Sequence, residues 1–195
     1  MLSNGLGIHL GGSRLRQLIL SYTSDFTSDN DGWQKDSQAN LALNGHNGTP
    51  TITANQTIDG TGGWLKIVYG ADQTFSGGVT YNYTGVMEKN LGLSGGFKKN
   101  DLMIVSFKIY LYHDGSTDHW NTGTDDVKMR HAVFNPSSTF DLELNTTHTI
   151  SEEKLCNVNA PGPEISFPGT ATNYSDRPAN GATWYLKDYN FELWR

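Results

Sequence analysis

The stretch Asp101–Tyr112, DLMIVSFKIYLY, is the longest segment of the chain in which apolar residues recur at every second position. The apolar series consists of Met103, Val105, Phe107, Ile109 and Leu111. Because successive side chains of a strand point to opposite faces, this period predicts a long strand with one fully apolar face. The residues between them, which include Lys108, Tyr110 and Tyr112, make the other face mixed. Such a strand is typical of the centre of a β-sandwich.

Shorter segments with strand character lie on both sides of this stretch. They are predicted near residues 25–29, 39–43, 49–55, 63–70, 79–84, 127–134, 140–144, 149–157 and 183–194. In the last segment, Tyr185 is predicted to share a face with Tyr189, Phe191 and Leu193. Four prolines between residues 160 and 181 indicate a loop or an edge there. These roughly ten strands predict an all-β, jelly-roll-like β-sandwich of two antiparallel sheets.

The composition is that of a single turn-rich β domain. The chain has 195 residues, of which 22 are glycine and 17% are charged. The net charge of −6 argues against nucleic acid as a partner, because phosphate binding needs a basic surface. The sequence contains no run of about 18 apolar residues and no recognisable signal peptide, so we expect no membrane partner. The single Cys156 excludes an internal disulfide and suits folding in a reducing cytosol.

Residues 1–24 differ from the rest, because leucine and isoleucine alternate there with glycine. Ser13 can cap a short helix in which Leu15, Leu18, Ile19 and Tyr22 share a face, although about nine residues are too few for a stable isolated helix. Two alternatives follow. The segment either packs on its own domain, or it is an arm that docks on a partner. We therefore divide the chain into an arm, residues 1–24, and a β-sandwich domain, residues 25–195. The docking candidates are Leu6, Ile8, Leu10, Arg14, Leu15, Arg16, Leu18, Ile19 and Tyr22.

Catalytic patterns are missing from the sequence. A glycosidase needs two carboxyl groups on one face at a defined separation, and Asp141 and Glu143 fall instead on the polar side of a predicted strand. We find no serine–histidine–aspartate signature, no glycine-rich phosphate loop before a helix and no zinc-ligand spacing. We expect that the protein is not an enzyme.

Three local patterns resemble the jelly-roll, galactose-binding-like carbohydrate-binding modules. They are Asp25-Phe26 with Asp31-Gly32-Trp33, the run Gly62-Gly63-Trp64-Leu65-Lys66-Ile67, and the closing run from Trp184 to Leu193. The resemblance implies a body that binds glycans through exposed rings and nearby polar groups. The candidates for carbohydrate binding are Trp64, Lys66, Tyr81, Tyr83, Tyr110, Tyr112 and Trp120. The alternative is that these rings fill a second hydrophobic layer or a subunit interface.

The same resemblance implies a structural calcium that ties the first strand to the last. The matching positions are Asp25 and Asp188, and the sequence shows no more than these two of the six to eight oxygen ligands that calcium takes. No other cofactor is expected.

The N-terminal segment carries a second resemblance. Leu15-Arg16-Gln17-Leu18 and Ser21-Tyr22-Thr23 look like the N-termini of some tailed-bacteriophage structural proteins. This implies a virion component, made in the bacterial cytoplasm, that acts as a head decoration, fibre-base or tail-associated protein. Its partners would be capsid or tail subunits and further copies of itself. The main functional hypothesis is thus a virion protein with a carbohydrate-binding-module-like body. The alternative is a stand-alone carbohydrate-binding module or adhesin.

Overall fold

A computed structural model describes residues 15–35, 50–68, 87–115, 127–133, 138–157, 164–170 and 181–195. Within these ranges the chain forms strands and no helix, and so none that could cross a membrane. The strands are β1 (Leu18–Ser24), β2 (Gln34–Lys35), β3 (Thr51–Ile58), β4 (Thr61–Val68), β5 (Met87–Asn90), β6 (Leu102–Tyr112), β7 (Val127–Val133), β8 (Ser138–Leu142), β9 (Thr147–Leu155), β10 (Glu164–Thr170) and β11 (Thr183–Trp194). The segments predicted at residues 39–43 and 79–84 lie outside the described residues.

The strands form two antiparallel sheets. The six-stranded sheet has the order β3-β4-β11-β6-β9, and β1 also pairs with β11. The five-stranded sheet has the order β2-β5-β10-β7-β8. Phe107 of β6 and Phe140 of β8 meet edge to face, with ring centroids 6.1 Å apart, so side chains of the two sheets share one core. The prediction of an all-β, jelly-roll-like sandwich is confirmed.

β6 is the long strand that the apolar alternation of Asp101–Tyr112 predicts. Its five alternate apolar residues are all at least 96% buried, because β6 runs the full length of β11 on one side and pairs with β9 on the other. The other face of β6 keeps Lys108 half-buried and leaves Tyr112 exposed. The six-stranded sheet therefore presents its outer, mixed face away from the core.

β11 departs from the predicted alternation. Trp184 and Leu186 are buried in the core, whereas Tyr185 belongs to a second cluster outside it. The pairing of β11 with β6 shifts between Lys187 and Asn190, and Asp188 has a positive φ of 51°. A bulge adds a residue to one strand and so reverses the alternation beyond it. Tyr189, Phe191 and Leu193 consequently return to the core, and the prediction that Tyr185 shares their face is wrong.

β10 corrects a second prediction. Residues 160–181 were expected to be mostly loop or edge, yet β10 lies in the middle of the five-stranded sheet. Its pairing with β7 shifts between Ser166 and Gly169, and Pro168 falls within that shift. A proline is tolerated inside a sheet where regular pairing is interrupted, since it has no N–H to donate.

β1 replaces the helix considered for the N-terminal segment, so that prediction is wrong for residues 18–24. The strand pairs with the second half of β11, from Ser24 opposite Tyr189 to Leu18 opposite Trp194. Tyr22 contacts the Tyr189 ring and donates a hydrogen bond of 2.6 Å to Asp31. Gln17 and Arg195 then exchange two backbone hydrogen bonds of 2.8 and 2.9 Å. Residues 18–24 are therefore part of the sandwich itself.

The segment 25–33 also differs from its prediction. It contains no strand, and the first strand of the sheet ends before it, at Ser24. The segment ends in a tight turn, with Trp33 N–H bonded to Asn30 C=O at 2.9 Å and positive φ at both Asp31 and Gly32. Positive φ at both central residues is the signature of a type I′ turn, which Asp-Gly favours.

Candidate glycan-binding face

Three rings pack together on the outer face of the six-stranded sheet. They are Trp64 of β4, Tyr110 of β6 and Tyr185 of β11, and we call them the outer aromatic cluster. Strand register brings them together, because Tyr185 lies opposite both Tyr110 and Lys66, the second residue after Trp64. The rings of Tyr110 and Tyr185 meet at 66° with centroids 6.0 Å apart. Ile58 of β3 packs against the same cluster.

The three rings of the outer aromatic cluster are buried, whereas the Tyr112 ring beside them is exposed. Trp64, Tyr110 and Tyr185 are 3%, 9% and 9% exposed, whereas Tyr112 is 44% exposed. Tyr112 lies opposite Thr183, two residues along β6 and β11 from the Tyr110–Tyr185 pair. The expected alternative of a second hydrophobic layer thus describes Trp64 and Tyr110 well. Tyr112 has the exposure that a stacking ring needs.

The Tyr110 and Tyr185 hydroxyls of this face stay neutral at physiological pH. Burial raises the pKa of Tyr110, and the charges of Asp59 and Tyr112 raise it further. Burial likewise raises the pKa of Tyr185, with smaller contributions from Tyr112 and Tyr110. A neutral phenol both donates and accepts hydrogen bonds, as a sugar hydroxyl does. The face can therefore offer uncharged polar groups next to apolar rings.

Asn145 holds the end of β6 that carries Tyr112. It has a positive φ of 55°, its N–H binds Leu111 C=O at 2.7 Å, and its side chain exchanges two hydrogen bonds of 2.8 Å with the backbone of His113. Its Oδ1 also accepts a 3.4 Å hydrogen bond from the Tyr110 hydroxyl. Sequence reasoning missed this role of Asn145.

Three lysines lie among the rings. Lys108 forms an ion pair of 2.7 Å with Asp188, at the bulge of β11. Lys187, opposite Lys108 on β6, donates to Gly62 C=O and lies 5.8 Å from the centroid of the Trp64 ring. Lys66 is half-buried opposite Tyr185. The outer face thus combines aromatic and cationic groups within a few residues of each other.

A close backbone contact sets the position of Trp64. Gly63 has a positive φ of 77°, and a Cβ placed there would lie 2.8 Å from Asp25 C=O and 3.2 Å from Thr27 Cγ2. Glycine is required, because any side chain would meet backbone and would strain this conformation. The segment after β1 therefore presses on β4 immediately before the cluster begins.

The two predicted calcium ligands have other partners. Asp188 is neutralised by Lys108, and Asp25 Oδ1 accepts hydrogen bonds from the N–H and hydroxyl of Thr27 at 3.0 and 2.9 Å. These bonds, led by the Thr27 N–H, hold the pKa of Asp25 below its usual value. Within the described ranges, no three acidic, histidine or cysteine side chains form a group that could hold a metal. A calcium ion at Asp25 and Asp188 stays a prediction.

The structure brings together some of the predicted binding residues and adds one. Trp64, Lys66, Tyr110 and Tyr112 lie on one face, and Tyr185 joins them although sequence reasoning placed it on the face of Tyr189, Phe191 and Leu193. Asp188 is the signal in the sequence that could have predicted the position of Tyr185. Aspartate adopts positive φ more readily than most residues, and an aspartate in the middle of an apolar strand can therefore indicate a bulge. Tyr81, Tyr83 and Trp120 lie outside the described residues.

The predicted docking residues do not share one environment. Leu15, Leu18 and Ile19 are 82%, 38% and 36% exposed, while Arg16 donates a 2.7 Å hydrogen bond to Asn100 C=O. Tyr22 packs against the core and lies beneath Lys89, whose ammonium is 4.9 Å from the centre of the ring. Leu6, Ile8, Leu10 and Arg14 lie outside the described residues.

No protein family and no curated protein sequence matches the chain. Among solved structures, it is similar to the C-terminal family 22 carbohydrate-binding module of Clostridium thermocellum Xyn10B, with 9% identity over 88% of this chain and 91% of that chain and a TM-score of 0.49. It is also similar to the N-terminal CBM22-1–GH10 modules of C. thermocellum endo-1,4-β-D-xylanase 10B in complex with xylohexaose (12% identity, 87% of this chain, 28% of that chain, TM-score 0.48).

A third similar structure is the N-terminal cellulose-binding domain of Cellulomonas fimi β-1,4-glucanase C. It has 14% identity over 85% of this chain and 91% of that chain, with a TM-score of 0.43. At these identities and TM-scores, the similarity describes an arrangement of strands and gives no information about a ligand.

Proposed function

We propose that the protein is a non-catalytic glycan-binding domain and that it binds a polysaccharide on the outer face of its six-stranded sheet. The observation that carries the proposal is the exposed Tyr112 ring beside the buried rings of Trp64, Tyr110 and Tyr185. These three rings form a cluster that is separate from the hydrophobic core between the sheets. Sugar rings stack on aromatic faces, and the neighbouring phenols and ammonium groups supply partners for hydroxyls.

The rigidity of the outer aromatic cluster favours this function. Each ring is packed against another, and Asn145 fixes the strand end that carries Tyr112. A ligand therefore orders few side chains when it binds, which lowers the entropic cost of association. Asp188 is held at positive φ beside these rings, and strained residues cluster at binding sites.

The proposal is tested by substituting Tyr112. We expect Tyr112→Ala to weaken binding to a glycan found on a polysaccharide array by about tenfold, which corresponds to about 1.4 kcal/mol of lost stacking. Tyr112→Phe should retain most of the affinity. Leu155→Ala is the matched control, since Leu155 is similarly exposed at 50% and lies on the same face. It is opposite Leu102 at the end of β9, eight residues from Thr147, which pairs with Tyr110. Isothermal titration calorimetry gives the affinities. An array without binding at millimolar ligand, or an equal loss in Leu155→Ala, would contradict the proposal.

The virion role that was the main functional hypothesis has weaker support than this alternative. It rests on an N-terminal arm that docks on capsid or tail subunits, yet residues 18–24 are a strand of the domain's own sheet. Residues 1–14 lie outside the described residues. We therefore adopt glycan binding, and residence in a virion and homo-oligomerisation stay predictions.

A further inference from the structure

We propose that the polysaccharide is acidic and that Lys66 binds its carboxylate or sulfate groups. This inference rests on the proposed function, because it names the class of glycan that the same face would take.

Lys66 lies in the row of rings. It is on β4 between the core residues Leu65 and Ile67, so its side chain leaves the outer face of the sheet. Its register partner on β11 is Tyr185, and the register partner of Tyr185 on β6 is Tyr110. Side chains directly opposite on neighbouring strands have Cβ atoms about 5 Å apart. A sugar that lies over this row is therefore within reach of the Lys66 ammonium.

The three lysines of the face differ in their partners. Lys108 is neutralised by Asp188 at 2.7 Å, and Lys187 donates to the Gly62 carbonyl. The part of the chain that the structure describes gives Lys66 neither a hydrogen bond nor an ion pair, although its side chain is half-buried. The Lys66 ammonium therefore has no anion bound to it within those residues. An anion on the ligand would supply the missing partner.

The chemistry of an ammonium fits both anions. A lysine is a compact point charge with three donors, so it accepts a carboxylate or a sulfate without the planar geometry that arginine prefers. Charge-assisted hydrogen bonds of this kind are about twice as strong as neutral ones. The attraction has to be local, because the whole chain carries a net charge of −6 and repels a polyanion at long range.

The test uses polysaccharides in pairs that share a backbone and differ in charge. The pairs are hydroxyethylcellulose with carboxymethylcellulose, methyl-esterified pectin with polygalacturonate, and dextran with dextran sulfate. Affinity electrophoresis of the full-length chain is measured for the wild type, Lys66→Gln, Lys66→Arg, and Lys99→Gln as a control. Lys99 is an exposed lysine in the turn before β6.

We expect the acidic member of at least one pair to bind about tenfold more tightly than its neutral partner, as one charge-assisted hydrogen bond allows. Lys66→Gln should weaken binding of the acidic member until its affinity equals that of the neutral member, and Lys66→Arg should keep the difference. Lys99→Gln should behave as the wild type. The pair that responds shows whether the anion is a carboxylate or a sulfate.

Two other outcomes would overturn the inference. If neutral members bind and depend on Tyr112, while acidic members bind no better or Lys66→Gln weakens both alike, the glycan is neutral and the proposed function survives. If no member of any pair binds, the proposed function fails together with this inference.

Discussion

Asp101 is a buried carboxylate, with 1% of its side chain exposed, and it binds the last residue of the chain. Arg195 donates two hydrogen bonds of 2.8 Å to its two carboxylate oxygens, and the Lys98 N–H donates a third of 2.8 Å. Burial alone would raise the pKa of Asp101, but these hydrogen bonds outweigh it and hold the pKa below its usual value. The pair joins the start of β6 to the end of β11.

The first prediction concerns this ion pair. We expect Asp101→Asn to lower the free energy of unfolding by about 2 kcal/mol at pH 7, less than for a fully buried pair because the Arg195 side chain is 40% exposed. The folded pKa lies below the unfolded value of about 3.9, so the stabilisation is present above that pH and is lost as the pH falls through the folded pKa. Urea unfolding at pH 7 and pH 3 measures both effects.

The matched control for that prediction is Glu152→Gln. Glu152 forms an ion pair of 3.3 Å with Lys154 on β9, and this pair should contribute less than about 1 kcal/mol to the free energy of unfolding. A difference between wild type and Asp101→Asn that stays constant from pH 7 to pH 3 would show that the carboxylate charge is not what stabilises this contact.

At the scale of elements, β4 is fixed by a contact that has no room for a side chain. We expect Gly63→Ala to destabilise the fold by about 2 kcal/mol, because the new Cβ would lie 2.8 Å from Asp25 C=O and the residue has a positive φ. Gly62→Ala is the neighbouring control, since a Cβ there meets nothing within 4 Å, and it should change stability by less than about 0.5 kcal/mol. Guanidinium unfolding midpoints compare the two. Equal effects would refute the assigned contact.

Strand prediction succeeded where the alternation is uninterrupted and failed where it is broken. β6 has an unbroken period of two, and the sequence located it at Leu102–Tyr112. β11 is as apolar, but the bulge at Asp188 reverses its faces, and strict alternation therefore misplaced Tyr185. The central strand β10 was missed for a related reason. Pro168 argued against a strand, but it lies at a shift in register and the residues on both sides of it pair with β7. Irregular pairing depends on the partner strand, which a single sequence does not reveal.

The candidate face was predictable to a similar extent. Alternation with buried neighbours predicts the outer-face positions of Trp64, Lys66, Tyr110 and Tyr112. Their mutual contact cannot be predicted, because the order β4-β11-β6 depends on pairing between residues more than 70 positions apart. The exposure that separates Tyr112 from Tyr110 also depends on this packing.

For the whole molecule, β1 decides where the domain begins. We expect a chain without residues 1–24 to lose at least about 3 kcal/mol of stability or to fail to fold, because it lacks a strand of the six-stranded sheet and the Tyr22 ring against Tyr189. A chain without residues 1–14 keeps all of β1 and serves as the control. Thermal unfolding followed by circular dichroism compares them. A stable 25–195 fragment with an unchanged midpoint would restore the boundary at residue 24.

The backbone pairing of Gln17 with Arg195 has a practical consequence for how the protein can be displayed. β11 rises by about 3.3 Å per residue, so Arg195 lies roughly 33 Å along the strand from Tyr185. A linker attached after Arg195, or one that enters before Gln17, would leave from the same pole of the domain and far from Tyr112. Immobilised through either route on a sensor surface or a bead, the domain would keep its ring-bearing pole turned outward.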